Sequence, residues 1–165
     1  MMAHLISLRL ALVALCFQHL LHELSHVATA RLFGVRVMRI QWLTYQGGTR
    51  VFYENEPDFT SDNISKKWAV IAGAGFLTTT ILGYLFTAAY FLVSNNTLKI
   101  SLCFFSIIFL LVDSLYFMIG SIGHFGDIVG IQKIMKMPKK LTILICAILF
   151  LFHLAIVLRS FYVPA

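Results

Sequence analysis

An apolar run from Leu8 to Phe33 is interrupted near its end by His22-Glu23-Leu24-Ser25-His26, and no other stretch constrains the chain as strongly. As a helix the run is long enough to cross a bilayer, since about 20 apolar residues rising about 1.5 Å each span the hydrocarbon core. Residues four apart on a helix share a face, so the rings of His22 and His26 converge on one point. Two imidazoles meeting there suit a zinc ion, and Glu23 beside them can take a proton from an attacking water. With six histidines and three glutamates in 165 residues, chance supplies about 0.004 such patterns. A soluble helix can carry the same residues as an ordinary polar face. Here the flanks are Leu20, Leu21, Leu24 and Val27, and a carboxylate at membrane depth costs at least about 2.5 kcal/mol, which marks function.

Composition agrees with a membrane setting. Hydrophobic residues make up 59% of the chain and charged residues 12%, against about 25% charged in soluble domains. Four apolar spans emerge, roughly residues 6–33, 68–94, 98–119 and 141–160, each long enough to cross a bilayer. The expected fold is therefore an all-α membrane protein of four transmembrane helices, one polytopic core over residues 1–165. The net charge of +6 does not point to nucleic acid, because the basic residues lie between the spans and read as topology signals. If the first span runs inward, ten basic residues from Arg31 to Lys140 fall on the inner side. Only Lys99 and Arg159 fall outside, with Arg9 near the start of the first span. The positive-inside rule then predicts both termini outside and the longer loops in the cytoplasm, as in a bacterial inner (plasma) membrane. Cys16, Cys103 and Cys146, an odd number, all fall within spans, which argues against a disulfide framework. No cleavable signal peptide is expected, since the first span continues into functional-looking residues.

Between the first two spans, Val35 to Tyr45 is rich in β-branched and aromatic residues, Gly47-Gly48 signals a turn, and Thr49 to Tyr53 resumes the pattern. This predicts a membrane-associated β-hairpin at about 35–54. It either caps the bundle through Trp42, Tyr45 and Tyr53 or offers an edge strand to an extended substrate. An irregular loop from Glu54 to Ser65 follows. Ala72-Gly73-Ala74-Gly75 predicts close helix approach in the second span, and a hydroxyl among Thr78, Thr79 and Thr80 can reach the site.

A catalytic zinc normally takes three protein ligands. Four of the seven acidic residues belong to the loop, which leaves Asp113 and Asp127 besides Glu23. Asp127 lies in Gly120-Ser121-Ile122-Gly123-His124-Phe125-Gly126-Asp127-Ile128-Val129-Gly130, where four glycines in eleven positions predict a broken segment after the third span. Broken backbone at membrane depth is tolerated where it lines a site, which favours Asp127. Depth favours Asp113, about two turns from the inner end of its span, as His26 is from Gly34. His124, or no third protein ligand at all, is the remaining possibility. His19 borders the motif face, either as a hydrogen-bonding neighbour of the site or as a core histidine. His4 and His153 have no spacing argument.

The motif, with Ala28-Thr29-Ala30-Arg31-Leu32-Phe33-Gly34-Val35 after it, resembles the site-2 protease family of intramembrane zinc metalloproteases. In that family an Ala-Arg-x-x-Gly-Val pattern ends the motif helix and leads to a β-hairpin. Ala72-Gly73 is similar to the family's Ala-Gly-Pro segment, although Ala74 stands where proline is usual. Gly126-Asp127 is similar to its Leu-Asp-Gly motif, with the glycine before the aspartate instead of after it. The resemblance covers roughly residues 15–135 and implies a minimal, core-only member. It implies one zinc ion held by His22, His26 and Asp127, with Glu23 as general base. The implied substrates are membrane proteins with a transmembrane segment, cut within or beside the bilayer. Two other classes fit parts of the pattern: an inactive relative that binds transmembrane segments, and a small metal transporter with ligands strung along the membrane normal.

Overall fold

The computed structural model describes residues 2–42, 49–56 and 65–161, with side chains from residue 8 onward. In chain order the elements are α1 (Met2–Leu32), β1 (Val37–Gln41), β2 (Arg50–Tyr53), α2 (Lys67–Leu92), α3 (Asn96–Gly123), α4 (Asp127–Ile134) and α5 (Lys139–Phe161). Leu8–Leu32 of α1, together with α2, α3 and α5, are each long and apolar enough to cross a membrane. The expected fold class holds. α3 runs four residues beyond the expected limit of 119, and the predicted break is confined to residues 124–126, after which α4 begins.

The bundle buries polar groups alongside its apolar core and turns many large apolar side chains outward. Leu77, Leu85, Leu144 and Leu151 are exposed, whereas Gln18, Thr79, Ser114, Thr142 and His153 are buried. In lipid an outward leucine is already solvated, so helices associate through close approach and polar contacts. On α2, Gly83 lets α3 come so near that an added Cβ would sit 2.8 Å from the Leu110 side chain. One turn on, the hydroxyls of Thr87 and Ser106 bond across the same interface. His153 of α5 lies with Nδ1 3.1 Å from the Leu110 carbonyl and stacks on Phe76, which makes it a satisfied core histidine.

Two glycines set the turns that position the site. Gly34 has φ +70°, and the bonds Val35 N–H to Ala30 O (2.8 Å) and Gly34 N–H to Arg31 O (3.0 Å) close α1 in a Schellman turn. The chain then enters the antiparallel pair β1–β2, with Val37 opposite Tyr53 and a bulge between Val37 and Arg39. Val35, Val37 and Tyr53 pack on Ala30, Trp68 and Ile71, which pins the hairpin against the motif end of α1. Its Gly47-Gly48 turn and Tyr45 lie outside the described residues, as do residues 57–64 of the loop. Trp42 is exposed as an interfacial anchor would be, but Tyr53 is half-buried against Trp68.

At the end of α3, His124 adopts the left-handed conformation and Phe125 N–H bonds back to Gly120 O at 3.1 Å. Gly126 follows with φ 72° and ψ −169°, a region that essentially only glycine enters. A Cβ there would also overlap the Tyr116 hydroxyl. This reversal places Asp127 in the first turn of α4, and Ile128 anchors α4 against Phe117 and Cys146.

Candidate metal centre

Every fourth residue of α1 from Ala14 to Ala30 is buried: Ala14, Gln18, His22, His26 and Ala30. The four-residue step aligns them in one stripe, and α2 and α3 pack against α1. Glu23 lies one position round from the stripe, 8% exposed, at the edge of a cavity.

Each motif ring is held at both nitrogens. His22 has Nδ1 2.9 Å from Asp113 Oδ2 on α3 and Nε2 3.2 Å from Asp127 Oδ2. His26 has Nδ1 2.6 Å from the Ile71 carbonyl on α2 and Nε2 3.3 Å from the same Asp127 oxygen. The ring centroids are 4.9 Å apart. One ligand atom from each of His22, His26 and Asp127 falls within 4.8 Å of the other two. Asp113 stands on the far side of the His22 ring, outside that cluster, and His124 lines the cavity without joining it.

The donor set fits a divalent cation. A neutral imidazole carries one N–H, yet each of these rings meets an oxygen acceptor at both nitrogens. Protons at Nδ1 satisfy Asp113 and Ile71, which leaves two Nε2 lone pairs facing one carboxylate. A cation shared by these three atoms resolves the conflict. Two imidazoles and a carboxylate are the donor set that a catalytic zinc takes from a protein.

The seat of His22 is cut to shape by α2. A Cβ on Gly75 would lie 2.5 Å from His22 Nε2, whereas one on Gly73 would meet only Ile131 Cδ1, at 3.7 Å. The ring cannot swing away without leaving Asp113 or Asp127. Gly75→Ala is therefore expected to weaken zinc binding at least about tenfold, within the range seen when a ligand loses its support. Gly73→Ala is expected to leave it unchanged. A chelator-competition titration measures both, and equal affinities in the two variants would show that the ring tolerates the intrusion.

The cavity has a volume of about 1190 Å³ and is lined by residues of α1, α2, α3, α4 and the hairpin. Tyr53 and Tyr116 line it beside the motif, and Cys16 reaches its wall. Burial pushes the Tyr53 phenol above its ordinary pKa, and the carboxylates of Asp127, Glu23 and Glu56 push it further, so it stays protonated as a donor. His19 is not a core histidine. Its Nε2 lies 2.7 Å from Thr49 Oγ1, whose hydroxyl donates to the Trp42 carbonyl, and this ties the hairpin to α1.

Thr79 fulfils the expectation of a hydroxyl near the site, by donating to Asp113. Gln18 was not anticipated. Its Nε2 donates to Asp113 Oδ1 at 2.6 Å, and its position four residues before His22 is the signal that could have found it.

The search of curated proteins and the search of solved structures each return no match. A family model described as Peptidase M50B-like matches residues 2–163, nearly the whole chain. The likeness thus extends well past the motif helix, through the hairpin, the reversal at Gly126 and the last span. The chain belongs to the Peptidase M50B-like family, the site-2 protease type of membrane peptidase that its motif resembles.

Proposed function

We propose that the protein is an intramembrane zinc metalloprotease that hydrolyses peptide bonds of membrane-spanning or membrane-proximal proteins. The observation that carries this reading is the convergence of both motif Nε2 atoms on Asp127, with Glu23 beside them at a cavity. His22, His26 and Asp127 would hold the ion. When bound, zinc supplies a Lewis acid that polarises a carbonyl and lowers the pKa of water towards about 7.

The remaining work falls to side chains. Glu23 takes the proton of the attacking water on its carboxylate and delivers it to the leaving amine nitrogen. Its partial burial keeps bulk water from competing for that carboxylate. A helical substrate hides its carbonyls in hydrogen bonds, so a segment has to unwind before attack. The hairpin from Ile40 to Phe52 would receive it as an added strand, because Arg50, Val51 and Tyr53 of β2 line the cavity. The tyrosine phenols at the wall are suited to meet the developing oxyanion.

The cluster is compact, with ligand atoms within 4.8 Å, which suits catalysis better than a conduction path along the membrane normal. The test is zinc content of the purified protein together with cleavage of a transmembrane substrate in proteoliposomes. About one zinc per chain and cleavage blocked by a chelator are expected. Zinc without any cleavage would favour an inactive relative that binds membrane segments, and metal flux across the vesicle would favour a transporter.

A further inference from the structure

We infer that Asp113 is a positioning residue for the metal centre: it holds His22 by Nδ1 so that Nε2 faces Asp127, and Gln18 and Thr79 fix it in turn from two other helices. This rests on the zinc reading above. Asp113 is 4% exposed, on a span where a carboxylate is expensive unless it is used. Each of its oxygens is engaged. Oδ1 accepts from Gln18 Nε2 at 2.6 Å, and Oδ2 accepts from the Thr79 hydroxyl and from His22 Nδ1 at 2.9 Å. Gln18 is 2% exposed and Thr79 fully buried, so these bonds are shielded from bulk solvent.

The geometry argues against Asp113 as a ligand and for it as an orienter. The two nitrogens of an imidazole point away from each other, so one ion cannot sit between Nε2 and Asp127 and also touch a carboxylate bonded to Nδ1. What Asp113 does is fix the tautomer. With the proton on Nδ1, the lone pair of His22 is at Nε2, where the cluster needs it. The two motif rings are supported unequally. His26 donates to a neutral carbonyl, while His22 donates to a carboxylate, and a charge-assisted bond is roughly twice as strong as a neutral one. His22 is also the ring against which Gly75 packs. Its orientation is thus set from Asp113 on one side and α2 on the other.

A purely structural role would make the same contacts, as a polar tie between α1, α2 and α3. The two roles differ in what a folded variant does to metal. Full-length protein in detergent or bilayer discs is titrated with zinc against a chelator, and its cobalt-loaded form is examined by visible absorption. Asp113→Ala is expected to weaken zinc about 10–100-fold and to alter the cobalt bands, as loss of a group supporting a ligand does. Asp113→Asn, whose amide oxygen can still accept from Nδ1, is expected to recover most of that affinity. Ser106→Ala, which removes a buried interhelical hydroxyl away from the site, is expected to lower thermal stability and leave zinc affinity alone. Should Asp113→Ala fail to fold, Thr79→Val and Gln18→Leu each remove one bond onto Asp113 and are expected to give smaller losses of the same kind. Wild-type affinity and cobalt bands in the folded Asp113 variants, or in both Thr79→Val and Gln18→Leu, would overturn the inference while leaving the zinc site standing. A wild-type protein that binds no zinc, or a His26→Ala variant that binds it normally, would instead overturn the zinc reading and this inference with it.

Discussion

Glu23→Gln is expected to retain about one zinc per chain and to lower kcat for peptide hydrolysis by about 10²–10⁴-fold, the usual worth of a positioned general base. The amide matches the carboxylate in size, so the buried position beside the stripe can be filled without a cavity. It cannot accept a proton from water. Glu23 is also outside the cluster of His22, His26 and Asp127, so metal affinity has no reason to fall. Zinc content by elemental analysis and single-turnover cleavage of a transmembrane substrate are measured on one preparation. Undiminished cleavage would remove Glu23 from the chemistry, and lost zinc would make it a ligand.

Asp127→Ala is expected to empty the centre. It removes the carboxylate on which both Nε2 atoms converge, at 3.2 and 3.3 Å, and leaves two imidazoles where a catalytic zinc needs three ligands. The affinity loss should exceed about 100-fold, the upper end for groups that act only through a ligand. The fold should survive. Asp127 sits in the first turn of α4, where a negative charge contributes about 0.3–1 kcal/mol against the helix dipole, and Ile128 still anchors that helix to Phe117. A folded Asp127→Ala protein with wild-type zinc affinity would return the choice of carboxylate to Asp113.

That choice shows where the sequence was legible and where it was not. Depth favoured Asp113, and Asp113 does lie level with the motif, at Nδ1 of His22. The broken glycine segment favoured Asp127, and Asp127 does reach the two rings, at Nε2. Both lines of reasoning found a real neighbour of His22. They could not say which end of the ring each would occupy, because that depends on how far α3 runs and where the chain turns back. Likewise, Ala72-Gly73-Ala74-Gly75 announces close packing without saying that Gly75 meets a histidine ring and Gly73 an ordinary isoleucine contact. His19 bordered the motif face, and its partner proved to be Thr49, thirty residues along the chain.

By itself the sequence determined everything that depends on local periodicity and on lipid as a solvent. Apolar runs of sufficient length must become helices because the bilayer offers backbone groups no other partner. Residues at four-step spacing must share a face, which commits His22, His26 and the overlooked Gln18 to one stripe. Val35 to Tyr45 and Thr49 to Tyr53, on either side of Gly47-Gly48, read as the two arms of a hairpin. The tertiary structure alone decided which groups from other helices meet that stripe. Asp113, Asp127 and the Ile71 carbonyl arrive from 45 to 105 residues away, brought there by helix packing and by a reversal at Gly126 whose break the glycines announce but whose direction only the packing sets.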